Sequence, residues 1–366
     1  MKAIGIIGGG QLGLMIAEEA RRMGCKVNVL DPSADAPAFR LADEAIVAPF
    51  YDFEALMRLG SISDVLTYEF ENIPAEILKV VGKEYYLPQG INALLDSQNR
   101  IREKEVARLS GLPIVKYRRV CSKADLKDAI NNIGYPCILK TATLGYDGHG
   151  QTLMRSEKDI PAAEALLEVP CVLEEFVEFD YECSVITIRS EEQCISFPIG
   201  KNIHKNGILD LTIAPAPELY HNLPLYERMS NACRHLMVEN DYFGILTVEL
   251  FVKGDKFYFN EMAPRPHNSG HFAIEGCSTN QFRELCHFLL GETLQSPKLL
   301  APCVMKNILG KDLEVAKEMQ QEPQKDIYVH IYGKKDVLPQ RKMGHITFVA
   351  ANHETFNKHW KDKFVK

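Results

Sequence analysis

The sequence contains ten cysteines but no Cys-x-x-Cys pair, the usual spacing of a zinc site or a redox-active disulfide. Several cysteines lie inside apolar, strand-like runs, such as Cys137 in YPCILK and Cys171 in VPCVLEE. We therefore expect reduced thiols in the core of a cytosolic protein rather than disulfides or bound zinc.

Long apolar runs and an excess of positive charge are also missing. No run approaches the roughly 18 apolar residues of a membrane helix, and the N-terminal segment lacks the architecture of a signal peptide. With 42 basic and 49 acidic residues the net charge is −7, so no global field attracts nucleic acid or an anionic membrane. These absences predict a cytoplasmic protein without a nucleic-acid or membrane partner. A local basic pocket would still suffice for a small phosphorylated substrate.

The composition is that of a globular protein with two or three domains. The 366 residues are 46% apolar and 25% charged, and they contain no internal repeat or low-complexity stretch. The patterns predict an α/β and α+β fold in three parts. These parts are an N-terminal open parallel-sheet (Rossmann-like) domain over 1–95, a central module over 96–180, and a C-terminal domain over 181–366 that ends in a small β-rich part.

Apolar periodicity predicts strands that alternate with helices near the N-terminus and a denser set of strands after residue 180. The predicted strands cover residues 3–7, 27–30, 45–48, 64–68, 85–87, 136–141, 151–155, 171–174, 182–189, 194–200, 245–252 and 256–261. The predicted helices cover residues 12–23, 97–110, 157–167 and 225–239. A turn at Gly254-Asp255 joins the last two strands into a hairpin.

A glycine motif, Gly8-x-Gly10-x-x-Gly13, follows the first strand, and Asp31 ends the second. The pattern fits a dinucleotide site, where glycines bring the backbone to a phosphate and the acid binds a ribose hydroxyl. Taken alone it favours an NAD-dependent dehydrogenase. The same glycines would serve any α/β domain whose first turn faces a ligand, so both interpretations stay open.

A lysine, Lys140, ends an apolar strand and is followed by glycines at positions 145, 148 and 150. A point charge beside a flexible loop whose N–H groups close over phosphate oxygens suits a triphosphate. No Gly-Lys-Ser/Thr follows, so this is not a Walker A loop. The competing interpretation is a hairpin turn whose glycines supply positive φ.

Acidic residues mark the end of the strand at 171–174. Edge backbone groups beside Val177 would read an adenine ring, and Glu182 would bind the ribose. The alternative is a set of solvated acids, which is common at strand ends.

The predicted hairpin carries two carboxylates and an amide. Glu249 faces away from the apolar stripe, and the register decides whether Asn260 or Glu261 lies opposite it. Neighbouring carboxylates repel each other, so a positive group is expected between them. Oxygen ligands of this kind select magnesium shared with substrate phosphates. Two exposed surface glutamates are the alternative.

Two polar clusters follow the hairpin. Residues 265–271 read Arg-Pro-His-Asn-Ser-Gly-His, which suits a rigid ligand-binding loop better than a solvated turn. Lys334-Lys335 and Arg341-Lys342 form a local excess of positive charge, for which a solvated basic turn is the alternative.

Six sequence strings carry a family resemblance over nearly the whole chain. They are GGGQLG at 8–13, TYEFENIP at 67–74, SQNR at 97–100, GYDGHGQ at 145–151, NEMAPRPHNSGH at 260–271 and RKMGHI at 341–346. In this order they resemble the ATP-grasp superfamily and, within it, the 5-(carboxyamino)imidazole ribonucleotide synthetase family of purine biosynthesis, the ATPase subunit of phosphoribosylaminoimidazole carboxylase. The resemblance implies ATP-grasp central and C-terminal domains with ATP between them, and no nicotinamide.

The resemblance also implies which residues bind each ligand. The residues on the family's ATP positions are Arg100, Lys140, Gly145, Tyr146, Asp147, Gly148, His149, Gly150, Gln151, Glu174, Glu175, Phe176, Val177, Glu182, His204, Asn260 and Glu261. The residues expected at the ribonucleotide are Gly10, Gln11, Leu12, Glu69, Tyr146, Arg265, His267, Asn268, Ser269, Lys334, Arg341 and Lys342. The expected metal ligands, for Mg²⁺ or Mn²⁺, are Glu249 and Glu261, and the expected catalytic residues are Lys140, Asp147, Arg265 and Lys342.

Two positions depart from the family pattern. Leu144 stands where the family usually has another glycine, which would stiffen the loop. His149 replaces a usual Lys or Arg, so any positive charge at that position becomes dependent on pH.

The implied reaction uses ATP as co-substrate to carboxylate 5-aminoimidazole ribonucleotide with bicarbonate through carboxyphosphate, in a cytoplasmic homodimer. This makes the protein an ADP-forming carbon–nitrogen ligase. The ribonucleotide amine needs an accepting carboxylate, for which Glu69, Glu71 and Asp147 are the candidates. The alternatives are another ATP-grasp carboxylase or ligase, the dehydrogenase, and a non-catalytic nucleotide-binding regulator.

Overall fold

A computed structural model of the chain describes residues 1–143 and 150–364, which form three β-sheets with helices packed on them. The strands are β1 Ala3–Ile7, β2 Lys26–Asp31, β3 Glu44–Val47, β4 Val65–Tyr68, β5 Tyr117–Val120, β6 Cys137–Thr141, β7 Gln151–Met154, β8 Cys171–Glu175, β9 Tyr181–Arg189, β10 Cys194–Ser196, β11 Gly200–Lys205, β12 Ile208–Ala214, β13 Gly244–Lys253, β14 Lys256–Ala263, β15 Cys303–Leu309, β16 Ile327–Ile331 and β17 Lys342–Val349. The α-helices are α1 Gln11–Arg22, α2 Phe53–Ser61, α3 Ala75–Glu84, α4 Asn92–Ser97, α5 Arg100–Leu109, α6 Lys123–Ile133, α7 Ile160–Glu164, α8 Pro217–Tyr220, α9 Leu223–Glu239, α10 Ala273–Gly276, α11 Gln281–Leu290, α12 Leu313–Gln321 and α13 His353–His359.

The N-terminal sheet is parallel, with the strand order β3-β2-β1-β4. The chain turns from β1 into α1 at the glycine motif, where Gly8 has a φ of +105°. A Cβ at Gly13 would lie 2.3 Å from the carbonyl oxygen of Gly8, so only glycine allows the helix to pack this closely. The parallel α/β prediction is therefore confirmed for this part of the chain.

The central sheet is small and antiparallel, with the order β5-β8-β6-β7. One face is covered by α6, and the core beneath it includes the thiols of Cys137 and Cys171. Lys140 and Glu174 lie on the neighbouring antiparallel strands β6 and β8 and share one face of the sheet, because Glu174 is the register partner of Ile138, two residues before Lys140. This sheet therefore carries two charged residues to its border with the rest of the molecule.

The third sheet has nine strands in the order β14-β13-β9-β11-β12-β15-β17-β16, with β10 paired to β9. Its last three strands come from the predicted β-rich end, which is not a separate unit, because β15 pairs with β12 through residues 303–306. Helix α11 lies between α1 and this sheet, and its Phe282 shares a core with Ile16 and Ile186. This shared core joins the N-terminal part to the large sheet.

Several predicted elements differ from the structure. Residues 85–87 form no strand, because Tyr85 already caps α3 and only one strand-like bond runs from Leu66 N–H to Tyr86 O. The predicted helix over 97–110 begins later, as α5 at Arg100, because Ser97 ends α4 and the Asn99 side chain caps the new helix. The helix over 157–167 is a short 3-10 turn followed by five α-helical residues, and the strand over 194–200 is β10 followed by a turn into β11.

Other predicted features agree with the structure. Fold class, the β13–β14 hairpin and the long helix α9 are as expected. All ten cysteines are free thiols, and eight of them are buried, as the apolar runs predict. In the described part of the chain no helix is long and apolar enough to cross a bilayer. The domain boundaries at residues 95 and 180 stay predictions.

Candidate active site

Helix α5 brings charged residues to the place where the central sheet meets the large sheet. Arg100, Glu103 and Lys104 share one face of this helix because they are three and four residues apart. The Arg100 guanidinium lies 3.0 Å from Glu261 on β14, and its backbone N–H donates to Ala142 O at 2.8 Å. The helix therefore fixes β14 to the segment that follows β6.

Glu174 lies between two buried lysines from different elements. Its Oε2 is 3.0 Å from Lys140 Nζ, and its Oε1 is 3.2 Å from Lys104 Nζ. Although burial acts to raise the pKa of Glu174, the two ammonium groups lower it to about 2. Burial lowers the pKa of Lys140, an effect that Glu174 opposes.

The two hairpin glutamates face each other across β13 and β14. Glu249 and Glu261 are register partners, and a bulge after Glu249 leaves Asn260 without a direct partner. This settles the register that the sequence left open in favour of Glu261. Burial, and then the charge of Glu261, raise the pKa of Glu249 to about 8. For Glu261, Arg100 and Lys140 outweigh burial and lower the pKa.

A guanidinium and an uncharged imidazole lie beside this carboxylate pair. Arg100 contacts Glu261, and His267 Nε2 lies 3.3 Å from Glu249 Oε1. In the described residues, no group of three or more His, Cys, Asp or Glu side chains could hold a metal by itself. A pair of carboxylates suits Mg²⁺, which commonly takes one or two carboxylates together with phosphate oxygens and water.

The predicted adenosine end lies along β8 and β9. Glu175 N–H donates to Lys116 O at 2.9 Å and Phe176 N–H to Pro136 O at 3.2 Å, so both amides serve the central sheet. The carboxylate of Glu182 on β9 pairs with His204 on β11. Burial lowers the pKa of His204, but the contact with Glu182 outweighs burial and raises it.

Gly150, the residue before β7, has a φ of +73°. Gln151 then begins β7 and is the register partner of Lys140. The side chain of Gln151 is exposed. Both predicted residues therefore lie beside the Lys140 end of β6.

The loop after the hairpin is held by buried polar contacts. Arg265 is ion-paired with Glu71, which follows β4. His267 Nδ1 lies 2.7 Å from Ser269 Oγ, and burial, with Arg265 next, lowers the pKa of His267 well below its usual value. The backbone N–H of His267 donates to Gln281 Oε1 at 2.9 Å, and Gln281 Nε2 donates to His267 O at 2.7 Å.

The Asn268 side chain is turned into the protein. Asn268 Nδ2 donates to Asn307 Oδ1 at 2.9 Å, and Asn307 Nδ2 donates back to Asn268 Oδ1 at 2.6 Å. Both side chains are buried. In this arrangement Asn268 fastens the loop to β15, a role that the sequence did not suggest.

The glycine motif meets the ends of β2 and β4. Gly10 N–H donates to Glu69 Oε1 at 2.8 Å, and burial is the main cause that raises the pKa of Glu69 to about 7. Asp31 accepts from Gly9 N–H at 2.7 Å and from Ser33 N–H at 2.8 Å, so its carboxylate is engaged inside the turn. Gln11 and Leu12 begin α1 beside this turn, with Leu12 buried.

The predicted basic cluster divides into two groups. Lys334 Nζ donates to Lys342 O at 2.9 Å, and Lys342 is close enough to the active-site histidines to lower the pKa of His267. Lys335 pairs with Asp35 at the surface, and Arg341 Nη1 donates to Asp336 O at 3.1 Å. Lys342 therefore lies close to His267, whereas Arg341 contacts Asp336 and Lys335 contacts Asp35.

Five predicted residues lie outside the described residues: Gly145, Tyr146, Asp147, Gly148 and His149. The departure at Leu144 lies there too. Glu103 and Lys104 were not among the predicted site residues, although their spacing from Arg100 on a predicted helix could have pointed to them. Gln281 and Asn307 gave no such signal, because they reach the site from distant parts of the chain.

Three family models match the chain in succession. They are a ribonucleotide synthetase preATP-grasp domain over residues 1–91, an ATP-grasp domain over 105–282 and a phosphoribosylaminoimidazole carboxylase C-terminal domain over 303–359. The N5-carboxyaminoimidazole ribonucleotide synthase of Bacillus subtilis (strain 168) is 42% identical over 365 residues, which cover 99% of this chain and 95% of that protein.

Two solved structures extend the comparison. N5-carboxyaminoimidazole synthetase from Staphylococcus aureus, complexed with ADP, has a TM-score of 0.94 and 40% identity over 99% of this chain and 97% of that one. N5-carboxyaminoimidazole synthase from Aspergillus clavatus, complexed with ADP and 5-aminoimidazole ribonucleotide, has a TM-score of 0.91 and 29% identity over the same shares of the two chains. With matching domains, matching fold and identity above 40% over nearly its full length, the chain belongs to the N5-carboxyaminoimidazole ribonucleotide synthase family of the ATP-grasp superfamily.

Proposed function

We propose that the chain catalyses the ATP-dependent carboxylation of 5-aminoimidazole ribonucleotide to N5-carboxyaminoimidazole ribonucleotide in purine biosynthesis. The observation that carries this proposal is the convergence of Arg100, Lys140, Glu249 and Glu261 at the junction of two sheets. Cations and carboxylates in one place suit a triphosphate and its metal. The relatives' names supply the reaction, and ADP is bound to the Staphylococcus aureus structure.

Bicarbonate is the proposed carbon source, and it needs activation. Its leaving group would otherwise be hydroxide or oxide, whereas phosphorylation to carboxyphosphate makes the leaving group phosphate. Lys140 and Arg100 are the buried cations that would stabilise charge on the transferred phosphoryl group. Arg265 and the neutral His267 would hold bicarbonate and then carboxyphosphate, because Arg265 lies near Glu261 and His267 lies near Glu249 and Lys342.

The ribonucleotide site is proposed between the N-terminal glycine turn and the loop at 265–271. Glu69 is the buried acceptor for the exocyclic amine, because it lies at the glycine turn and under the influence of Arg265. Lys342 and Lys334 supply the positive end for the ribonucleotide phosphate. The Aspergillus clavatus relative, solved with 5-aminoimidazole ribonucleotide, supports a site for this substrate in the family.

Magnesium is proposed as the metal, with Glu249 and Glu261 as its protein ligands. Their facing oxygens and mutual repulsion fit a divalent cation, which would lower the raised pKa of Glu249. When bound, the metal would neutralise charge on the phosphates of ATP. Manganese has the same preference for oxygen ligands.

The dehydrogenase alternative is disfavoured by contacts within the glycine turn. Gly10 N–H is directed to Glu69, and the Asp31 carboxylate accepts from Gly9 and Ser33. Neither group is left for a dinucleotide in this arrangement.

An ADP-release assay tests the proposed function. The full chain receives Mg-ATP while bicarbonate and 5-aminoimidazole ribonucleotide are omitted in turn. ADP release that requires both compounds supports the proposal, and ATP turnover indifferent to the ribonucleotide contradicts the substrate assignment. A homodimer, twice the 41.3 kDa chain mass, is proposed from the resemblance alone, and light scattering after gel filtration measures it.

A further inference from the structure

Lys104 is a completely buried lysine beside the proposed ATP site. Its ammonium lies 3.2 Å from Glu174 Oε1, donates to Asn260 O at 3.1 Å and lies 5.7 Å from the centre of the Phe259 ring. Its side chain is 1% exposed, so each contact lies inside the protein. Burial of a lysine is costly, and a paired carboxylate is the usual compensation.

The carboxylate of Glu174 is shared, because Lys140 lies on its other oxygen at 3.0 Å. One carboxylate balances only one ammonium, so the second lysine remains available to a further anion. Lys140 is the better candidate for that anion, since it is at the end of β6 and 8% exposed, whereas Lys104 is enclosed. Lys104 also holds the backbone of Asn260, next to Glu261, and this contact fixes its position.

The sharing matters when a triphosphate arrives. If Lys140 moved to a phosphate and no other cation were present, Glu174 would become a buried, unpaired carboxylate, which is strongly unfavourable. With Lys104 in place, Glu174 keeps a partner. We propose that Lys104 is a positioning residue of the ATP site, which keeps Glu174 charge-paired and thereby releases Lys140 to bind the phosphates. The inference rests on the proposed ATP-dependent function.

Lys306 offers a closely matched control. It is buried on β15, donates to Asp210 Oδ1 at 2.7 Å and to Asn307 O at 2.8 Å, and lies 5.3 Å from the Phe364 ring centre. It thus has a carboxylate, a backbone carbonyl and a ring as partners, just as Lys104 does. It lies four strands away from β13 in the sheet order.

The experiment measures half-saturating ATP, half-saturating ribonucleotide and melting temperature for the full chain. Lys104→Met is expected to raise half-saturating ATP at least about ten-fold while leaving half-saturating ribonucleotide unchanged. Lys306→Met is expected to lower the melting temperature without changing half-saturating ATP. Lys104→Arg keeps the charge and is expected to restore most of the ATP affinity.

A double variant separates positioning from general stability. Because Glu174→Gln removes the charge that Lys104 balances, Lys104→Met/Glu174→Gln should match Glu174→Gln in half-saturating ATP. A further large loss in the double variant would overturn the proposal, and so would unchanged half-saturating ATP in Lys104→Met. If Lys104→Met does not fold, half-saturating ATP is still compared between Glu174→Gln and Lys104→Met/Glu174→Gln. Failure of the wild-type chain to consume ATP contradicts the proposed function instead.

Discussion

The two substrate ends of the proposed site are built differently. At the ATP end, cations and carboxylates are paired across separate elements, and Glu174 is buried together with Lys104 and Lys140. At the phosphate end of the ribonucleotide site, the basic residues lie near one another in the chain, and Arg341 is partly exposed and contacts Asp336. Removing one partner of a buried pair strands a charge, whereas exposed pairs are worth little. This difference predicts that substitutions at the ATP end change activity strongly, and that substitutions at the phosphate end of the ribonucleotide site change it weakly.

The largest effect is expected for Glu261→Gln. The variant loses a proposed metal ligand and the partner of Arg100, so several kcal/mol of transition-state stabilisation and nearly all turnover should disappear. Turnover and its magnesium dependence measure this, with Asp255→Asn at the exposed hairpin turn as the control. Near-normal activity with unaltered magnesium dependence would remove the metal site from the hairpin.

The pH dependence of stability sharpens the comparison, because Glu69 is a buried acid at the ribonucleotide end. Its pKa is about 7 in the folded protein, against an ordinary 4.5, so the folded chain keeps a proton that the unfolded chain has lost. This contribution to the free energy of unfolding is full at low pH, and falls by about 3 kcal/mol as pH rises from 4.5 through 7. Urea unfolding at several pH values measures it.

Glu69→Gln should lack that fall, and the exposed Glu76→Gln should retain it. Parallel pH profiles for the wild type and Glu69→Gln would show that Glu69 titrates with its ordinary pKa.

Lys140→Ala comes next in size. Loss of a buried ammonium at the phosphates should weaken ATP binding by about 2 kcal/mol, which raises half-saturating ATP roughly thirty-fold. The change in half-saturating ribonucleotide should be smaller. Lys116→Ala, which replaces an exposed lysine of the central module, is the control. An unchanged value for ATP would exclude Lys140 from phosphate binding.

The smallest effect is expected for Arg341→Ala. This side chain is 38% exposed and contacts Asp336, so its loss should weaken ribonucleotide binding by only about 1 kcal/mol. ATP binding should be weakened even less. Titration with each substrate measures the ratio, with Arg118→Ala on β5 as the control. A larger loss for ATP than for the ribonucleotide would move Arg341 out of the proposed ribonucleotide site.

Much of the fold and part of the site could be predicted from local patterns. The glycine turn, the strand that carries Lys140 and the hairpin with its two glutamates depend on neighbouring residues, and the structure contains all three. The direct opposition of Glu249 and Glu261 could not be predicted, because a bulge shifts the register by one residue.

The features that could not be predicted from the sequence are mainly contacts between distant segments of the chain. The pairing of β15 with β12, which joins the predicted β-rich end to the large sheet, has no local signal in the sequence. The side chain of Asn268 pairs with Asn307, a residue in no motif, so this contact could not be predicted. Lys104 was missed since a lysine in a polar helix is normally solvated, and its burial depends on two strands distant in sequence.

The central claim, that the buried cluster around Glu174 is a triphosphate site, is tested most directly by thermal unfolding of the full chain with Mg-ATP and, separately, with NADH. A ligand that binds only the folded state stabilises that state by about 2.7 kcal/mol when its concentration is a hundred times its Kd. We predict a concentration-dependent rise of Tm with Mg-ATP, reduced in Lys140→Ala, and no rise with NADH. A rise with NADH and none with Mg-ATP would contradict the account.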